Sequence, residues 1–168
     1  MSTPSPRPRL EPAVQRALDG LGVAYEVIEI DPAYADTADF CAQYGYPAER
    51  SANTIIVASK KKPRRYAAAA VRATRRLDVN HTMKQLLGGG RVSFARPEET
   101  VELTGMQIGG VTLLGLPDDL PLYVDAGLVA CEWVILGGGN RSTKIKVGPE
   151  LFSRLDSAQI VDALVLPQ

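Results

Sequence analysis

Trp133-Val-Ile-Leu-Gly-Gly-Gly-Asn-Arg-Ser-Thr-Lys-Ile-Lys-Val147 reads as two strands joined by a short turn. An apolar run enters three glycines, turns on Asn140-Arg141 and returns as a strand carrying Lys144 and Lys146. A link this short joins antiparallel strands, whereas parallel neighbours need a crossover of about a dozen residues or more. The glycines admit two readings. Without a Cβ they let a ligand approach the backbone, and the Asn, Arg, Ser and Thr that follow gather donors suited to an anionic or ester-bearing group. Alternatively, they serve only the hairpin.

Outward from this hairpin, strands and helices interleave. Val14, Ala17, Leu18 and Leu21 recur at helical spacing between Pro12 and Gly22, and Val23, Tyr25 and Val27 alternate as a strand. Asp36 caps a short helix over Thr37–Tyr44 that Gly45 stops. Thr54–Ala58 is a buried strand and Tyr66–Val71 its hairpin partner. A helix follows Asp78, a strand covers Arg91–Ala95, and Pro97-Glu98-Glu99 opens a helix that Gly105 closes. Leu122–Val124, Cys131–Leu136 and Lys144–Val147 are further strands, and a last helix runs from Gly148-Pro149-Glu150 through Leu155. Several strands are joined by turns rather than helices. The expected class is therefore α+β, a single domain with a curled, mixed and barrel-like sheet flanked by helices, not a doubly wound parallel sheet.

With 168 residues, 45% hydrophobic and 23% charged, the chain is suited to one soluble core. Residues 1–9, broken by Pro4, Pro6 and Pro8, read as a disordered tail ahead of a domain over 10–168. No apolar run approaches the ~20 residues of a membrane helix, and the basic start lacks the apolar stretch of a secretory signal. Cys41 and Cys131 form no close pair, which fits a reduced, cytoplasmic setting with packed thiols. Net charge is zero, but residues 51–77 hold Lys60, Lys61, Lys62, Arg64, Arg65, Arg72, Arg75 and Arg76 without one Asp or Glu. Such a patch steers a polyanion to one face, or is only a solvated hairpin tip kept from edge pairing by lysines.

The usual catalytic sets are missing. His81 is the one histidine and reads as a surface residue, and no His/Cys/Asp spacing suggests a metal. There is no Walker loop, and the triple glycine lies between strands rather than before a helix, so the dinucleotide fingerprint fails. Without a histidine partner a serine nucleophile is unsupported.

The order of the Thr54-Ile-Ile-Val strand, Arg76-Leu-Asp, Pro97-Glu98-Glu99 with Leu103-Thr104-Gly105, Gly109-Gly110, Gly115, Leu122-Tyr-Val-Asp125 and Gly137-Gly-Gly-Asn-Arg141 resembles the YbaK family. These are free-standing relatives of the editing domain inserted in bacterial prolyl-tRNA synthetases. The resemblance implies a trans-editing deacylase that hydrolyses the ester of a mischarged tRNA. It further implies aminoacyl-tRNA and an aminoacyl-tRNA synthetase as partners, with no metal, no cofactor and no covalent nucleophile. A loop at a Gly-x-x-x-Pro motif cradles the aminoacyl end, and a ribose hydroxyl helps activate water.

Three departures bear on that reading. The family's lysine before the Thr-led strand is Asn53 here, Leu113 stands where the motif has Pro, and Lys144 stands where some relatives carry Asp. The resemblance places Asn53 at the reacting ester and Gly109, Gly110, Gly138 and Arg141 around the substrate, with Lys144 a second catalytic candidate that would supply the charge Asn53 lacks. Lys60, Lys61, Lys62, Arg64 and Arg65 are the expected tRNA contacts. Lys144 and Lys146 share one face of an alternating strand, so a cavity should receive both or neither. Lys144 either points inward, supplying the charge Asn53 lacks, or is solvated. A catalytically altered protein that binds tRNA or another aminoacyl or nucleotide ligand without hydrolysis is the alternative.

Overall fold

The structure, a computed structural model, describes residues 9–167. The expected tail lies outside the described residues except for Arg9, whose carbonyl accepts from Asn140 Nδ2 at 2.7 Å. In chain order the elements are α1 (Pro12–Leu21), β1 (Tyr25–Glu29), α2 (Thr37–Tyr44), β2 (Ala52–Ser59), β3 (Tyr66–Arg72), α3 (Lys84–Leu86), β4 (Val92–Phe94), α4 (Pro97–Thr104), β5 (Leu122–Asp125), α5 (Ala126–Val129), β6 (Val134–Gly137), β7 (Thr143–Val147), α6 (Glu150–Arg154) and β8 (Ala158–Val161). A π turn over Val79–Met83 leads into α3, opened by the Asp78 carboxylate accepting from the His81 N–H. His81 itself is exposed, as expected.

The α+β class and the mixed pairing are as expected, but the barrel-like closure is not. The strands form two open sheets, ordered β1-β7-β6 and β4-β2-β3-β5-β8. Among the described residues, only an isolated parallel bridge between Ser51 and Ile135 joins them, so the surface curls without closing. In the larger sheet β3 pairs antiparallel with β2 and parallel with β5. Ala67–Ala70 of β3 are wholly buried, with Ala68 and Ala70 in one apolar cluster and Ala67 and Ala69 in another. A central strand covered on both faces has room for small side chains, which overrides alanine's weak strand preference.

Two further differences arise between β5 and the C-terminus. The strand expected from Cys131 starts at Val134, because Asp125 caps the short α5, its carboxylate accepting from the Gly127 N–H. That carboxyl is buried, and desolvation raises its pKa. The edge strand β8 was not expected: it is four residues long and leaves Gln159 and Ile160 exposed together, so no period-2 burial signal marks it.

The opening hairpin is β6 and β7, with Gly137 opposite Lys144. Its glycines largely serve packing. Gly139 lies under α1, where a Cβ would stand 2.5 Å from Glu11 Cβ and 2.9 Å from Val14 Cγ2. The Glu11 N–H donates to the Gly138 carbonyl at 2.9 Å. Val14 and Leu18 of α1 then fill the core beside Ile145 and Val147.

Candidate functional site

A cavity of about 430 Å³ opens where the N-terminus of α2, the start of β2, the end of β4, the loop after α4 and the β6–β7 hairpin meet. Asn53, Gly109 and Lys144, distant in sequence, all line it. Gly110, Gly138 and Arg141, expected with them, do not appear on its wall.

Lys144 points inward and is 5% exposed. Its β7 neighbours Ile145 and Val147 fill the main core, so the lysine lies on the opposite face, which α2 covers. The stem passes the Phe40 ring, with Nζ 5.5 Å from its centroid. Nζ donates to the Ala35 carbonyl at 2.7 Å and the Gly109 carbonyl at 3.1 Å. An ammonium has three N–H donors, so one remains for a ligand. Burial pulls its pKa from 10.5 down to about 8, opposed by Asp36 and Cys41 and assisted by Arg141. Lys146, expected to share its fate, instead lays Nζ over Trp133 at 4.5 Å, outside the cavity.

Asn53 lines the same cavity from β2. Its Oδ1 accepts from Thr37 Oγ1 at 2.7 Å, which orients the amide with Nδ2 as a donor. Asp36, Thr37, Thr54 and Thr100 add a carboxylate and three hydroxyl groups to the lining. The sequence marks Asp36 only as a helix cap. In the structure its carboxylate makes no cap bond and meets Arg141 Nη1 at 3.3 Å. Nothing local in the chain signals that exchange, since the partner is more than a hundred residues away.

Arg141 acts from behind the wall. Besides Asp36, its guanidinium donates to the Ile108 carbonyl at 2.8 Å and the Pro32 carbonyl at 2.9 Å, lying against Gly109. The Arg141 N–H bonds Gln107 Oε1, the Gln107 N–H bonds the Gly139 carbonyl, and the Gly139 N–H bonds the Gly110 carbonyl at 2.7 Å. The cavity loop is thus laced to the glycine turn and to the segment before α2. These bonds supply the constraint that a proline would give, and Leu113 is free to be a core residue, 2% exposed.

The basic hairpin tip is divided. Lys60, Lys61, Lys62 and Arg65 are exposed. Arg64 instead forms a two-pronged pair with Glu99 of α4, at 3.0 and 2.9 Å, joined by the Tyr66 hydroxyl at 2.6 Å. Hydrogen bonds from Arg64 and Tyr66 hold the Glu99 carboxyl down to about 2. Arg64 therefore ties the tip to α4, its side chain remaining partly exposed. Among the described residues, no three His, Cys, Asp or Glu side chains gather into a metal-binding group.

The family model described as "Aminoacyl-tRNA editing domain" matches residues 31–155, which include every residue lining this cavity. The chain belongs to the aminoacyl-tRNA editing domain family. Among solved structures, a hypothetical protein, APE2540, is 28% identical with a TM-score of 0.78, over 91% of this chain and 98% of that one. A second, described as "a putative trans-editing enzyme for prolyl tRNA synthetase", is 26% identical with a TM-score of 0.76, over 95% and 99%. The uncharacterized protein YwhH of Bacillus subtilis (strain 168) is 31% identical over 72 residues, 43% of this chain and 46% of YwhH, so the match spans less than half of that relative. Among the described residues of this editing domain, no helix is long and apolar enough to cross a membrane.

Proposed function

We propose that the chain is an aminoacyl-tRNA deacylase that works in trans, hydrolysing the ester of a mischarged tRNA in the cavity between Asn53, Gly109 and Lys144. The observation that carries this reading is Lys144, a buried ammonium with one N–H unused, sharing with the Asn53 amide a cavity of suitable size. The two groups polarise the ester carbonyl and hold the oxyanion formed when water adds to it. A hydroxyl of the terminal ribose orients that water, and the ester C–O bond breaks as the ribose oxygen takes up a proton. The scarcity of titrating bases in the chain is consistent with this division of labour, in which the protein positions and the substrate assists. Aminoacyl-tRNA is the proposed partner, with a synthetase as the source of the mischarged species and the cytoplasm as the place.

The test is a deacylation screen over mischarged tRNAs, including those bearing Ala, Ser and Cys. Turnover of at least one is expected. Binding of tRNA with no turnover of any would instead establish the non-hydrolysing binder.

The exposed lysines of the tip are proposed to contact tRNA phosphate. Replacing Lys60, Lys61 and Lys62 together by Ala should weaken tRNA binding whatever the sequence and flatten the plot of log K against log salt by about 2–3. Filter binding at several salt concentrations measures it. An unchanged slope would leave the lysines only a solubility role. Arg64→Ala should instead act mainly through stability, seen as a lower melting temperature, because it frees Glu99.

A further inference from the structure

The floor of the cavity is polar, but its rim is not. Phe94, at the end of β4, is 60% exposed, and Ile108, on the loop beside Lys144's carbonyl partner, is 42% exposed; both line the cavity. β4 pairs only with β2, with Phe94 opposite Val57, so the ring stands at a sheet edge rather than under another layer. Two exposed apolar side chains lining one cavity offer a ligand apolar surface beside its polar groups. Ile108 directly precedes Gly109, whose carbonyl holds Lys144 Nζ at 3.1 Å. A ligand with its ester carbonyl at Lys144 has this apolar rim within the same cavity.

We propose that Phe94 is a positioning residue that stacks on the base of the tRNA's 3′-terminal adenosine, with Ile108 closing the other side. The inference rests on the deacylase reading, which puts an aminoacyl ester at Lys144. It adds a nucleobase subsite outside the reacting centre. Stacking on an aromatic ring suits a terminal, unpaired base, which offers a π-face free of other partners. The site then binds two chemically different ends of one nucleotide. Polar groups hold the ester, and an apolar rim holds the base and fixes how far the ester enters.

The test uses an acceptor-stem RNA ending in a non-hydrolysable 3′-alanylamino group, compared with the same RNA lacking the terminal base. Affinities are read by fluorescence anisotropy for wild type, Phe94→Ala and Phe94→Trp. Removing the base or the ring should each weaken binding on the order of tenfold. Removing both should weaken it no further, since the two changes delete one interaction. Phe94→Trp should bind like wild type, and the melting temperature of Phe94→Ala should be unchanged. Additive losses, or wild-type affinity in Phe94→Ala, would overturn the subsite while leaving the deacylase reading intact. A dimer lost in Phe94→Ala, with affinity unchanged, would show the rim to be a contact between copies and would likewise overturn it. If wild type binds neither RNA, the subsite is overturned, and turnover of any mischarged tRNA in the deacylation screen would show that the deacylase reading stands without it.

Discussion

Lys144→Met should slow ester hydrolysis by about two to three orders of magnitude, the usual cost of removing one oxyanion donor. Methionine keeps most of the stem's volume against Phe40, so a folded protein is expected by circular dichroism. The ammonium also gives the reaction a pH signature. It is lost as pH rises through about 8, so the enzymatic rate, corrected for spontaneous ester hydrolysis, should fall above that pH in wild type. Stability should move the other way. Below about 8 the lysine is charged in folded and unfolded chains alike, and its desolvation cost is fully present. Between about 8 and 10.5 the unfolded chain binds the extra proton, so this group's contribution makes stability rise with pH and then level off. Both trends should vanish in Lys144→Met. A variant with wild-type rate would show that the charge has no part in the chemistry.

Gly110→Ala should destabilise the fold by about 1–3 kcal/mol, a drop of roughly 2–12 °C in melting temperature for a chain of this size. A Cβ there would lie 2.1 Å from the Asn140 carbonyl oxygen, 2.5 Å from its carbon and 2.6 Å from its nitrogen. All three are backbone atoms, so no rotamer change relieves the clash, and the Asn140 turn must move. That turn also carries Arg141 and the bonds that hold the Gln107–Gly110 loop, so activity should fall together with stability. Gly20→Ala is the control: it is helical, nothing lies within 4 Å of its Cβ position, and it should be neutral or slightly stabilising. Equal melting temperatures for Gly110→Ala and wild type would contradict the proposed packing.

The sequence made legible what depends on local pattern. The Thr37–Tyr44 helix between Asp36 and Gly45 has the expected bounds, β2, β3 and β7 stand where apolar runs and turn glycines place them, and β6 does so apart from its later start. The edge strand β8 had no such pattern to show. At the site, the family order grouped Asn53 with Gly109, Gly110, Gly138 and Arg141; of these Asn53 and Gly109 line the cavity, and Lys144 joins them there. It could not separate residues that line the cavity from those that brace it, because that depends on which way a side chain leaves a loop. Arg141 looked like a ligand donor and proved to be bound to three backbone or carboxylate oxygens. Arg64 looked like its basic neighbours and proved to be held by Glu99, thirty-five residues on. Strand alternation alone gave Lys144 and Lys146 one fate. Their difference comes from α2 and the Ala35 carbonyl covering one lysine and Trp133 receiving the other.

The decisive measurement is a crystal structure of the protein with 3′-alanylamino-adenosine, an amide in place of the labile ester. The amide carbonyl is expected within hydrogen-bond distance of Lys144 Nζ and Asn53 Nδ2, with Gly109 against the aminoacyl group. The analogue bound elsewhere, or bound with its carbonyl turned away from both side chains, would contradict it.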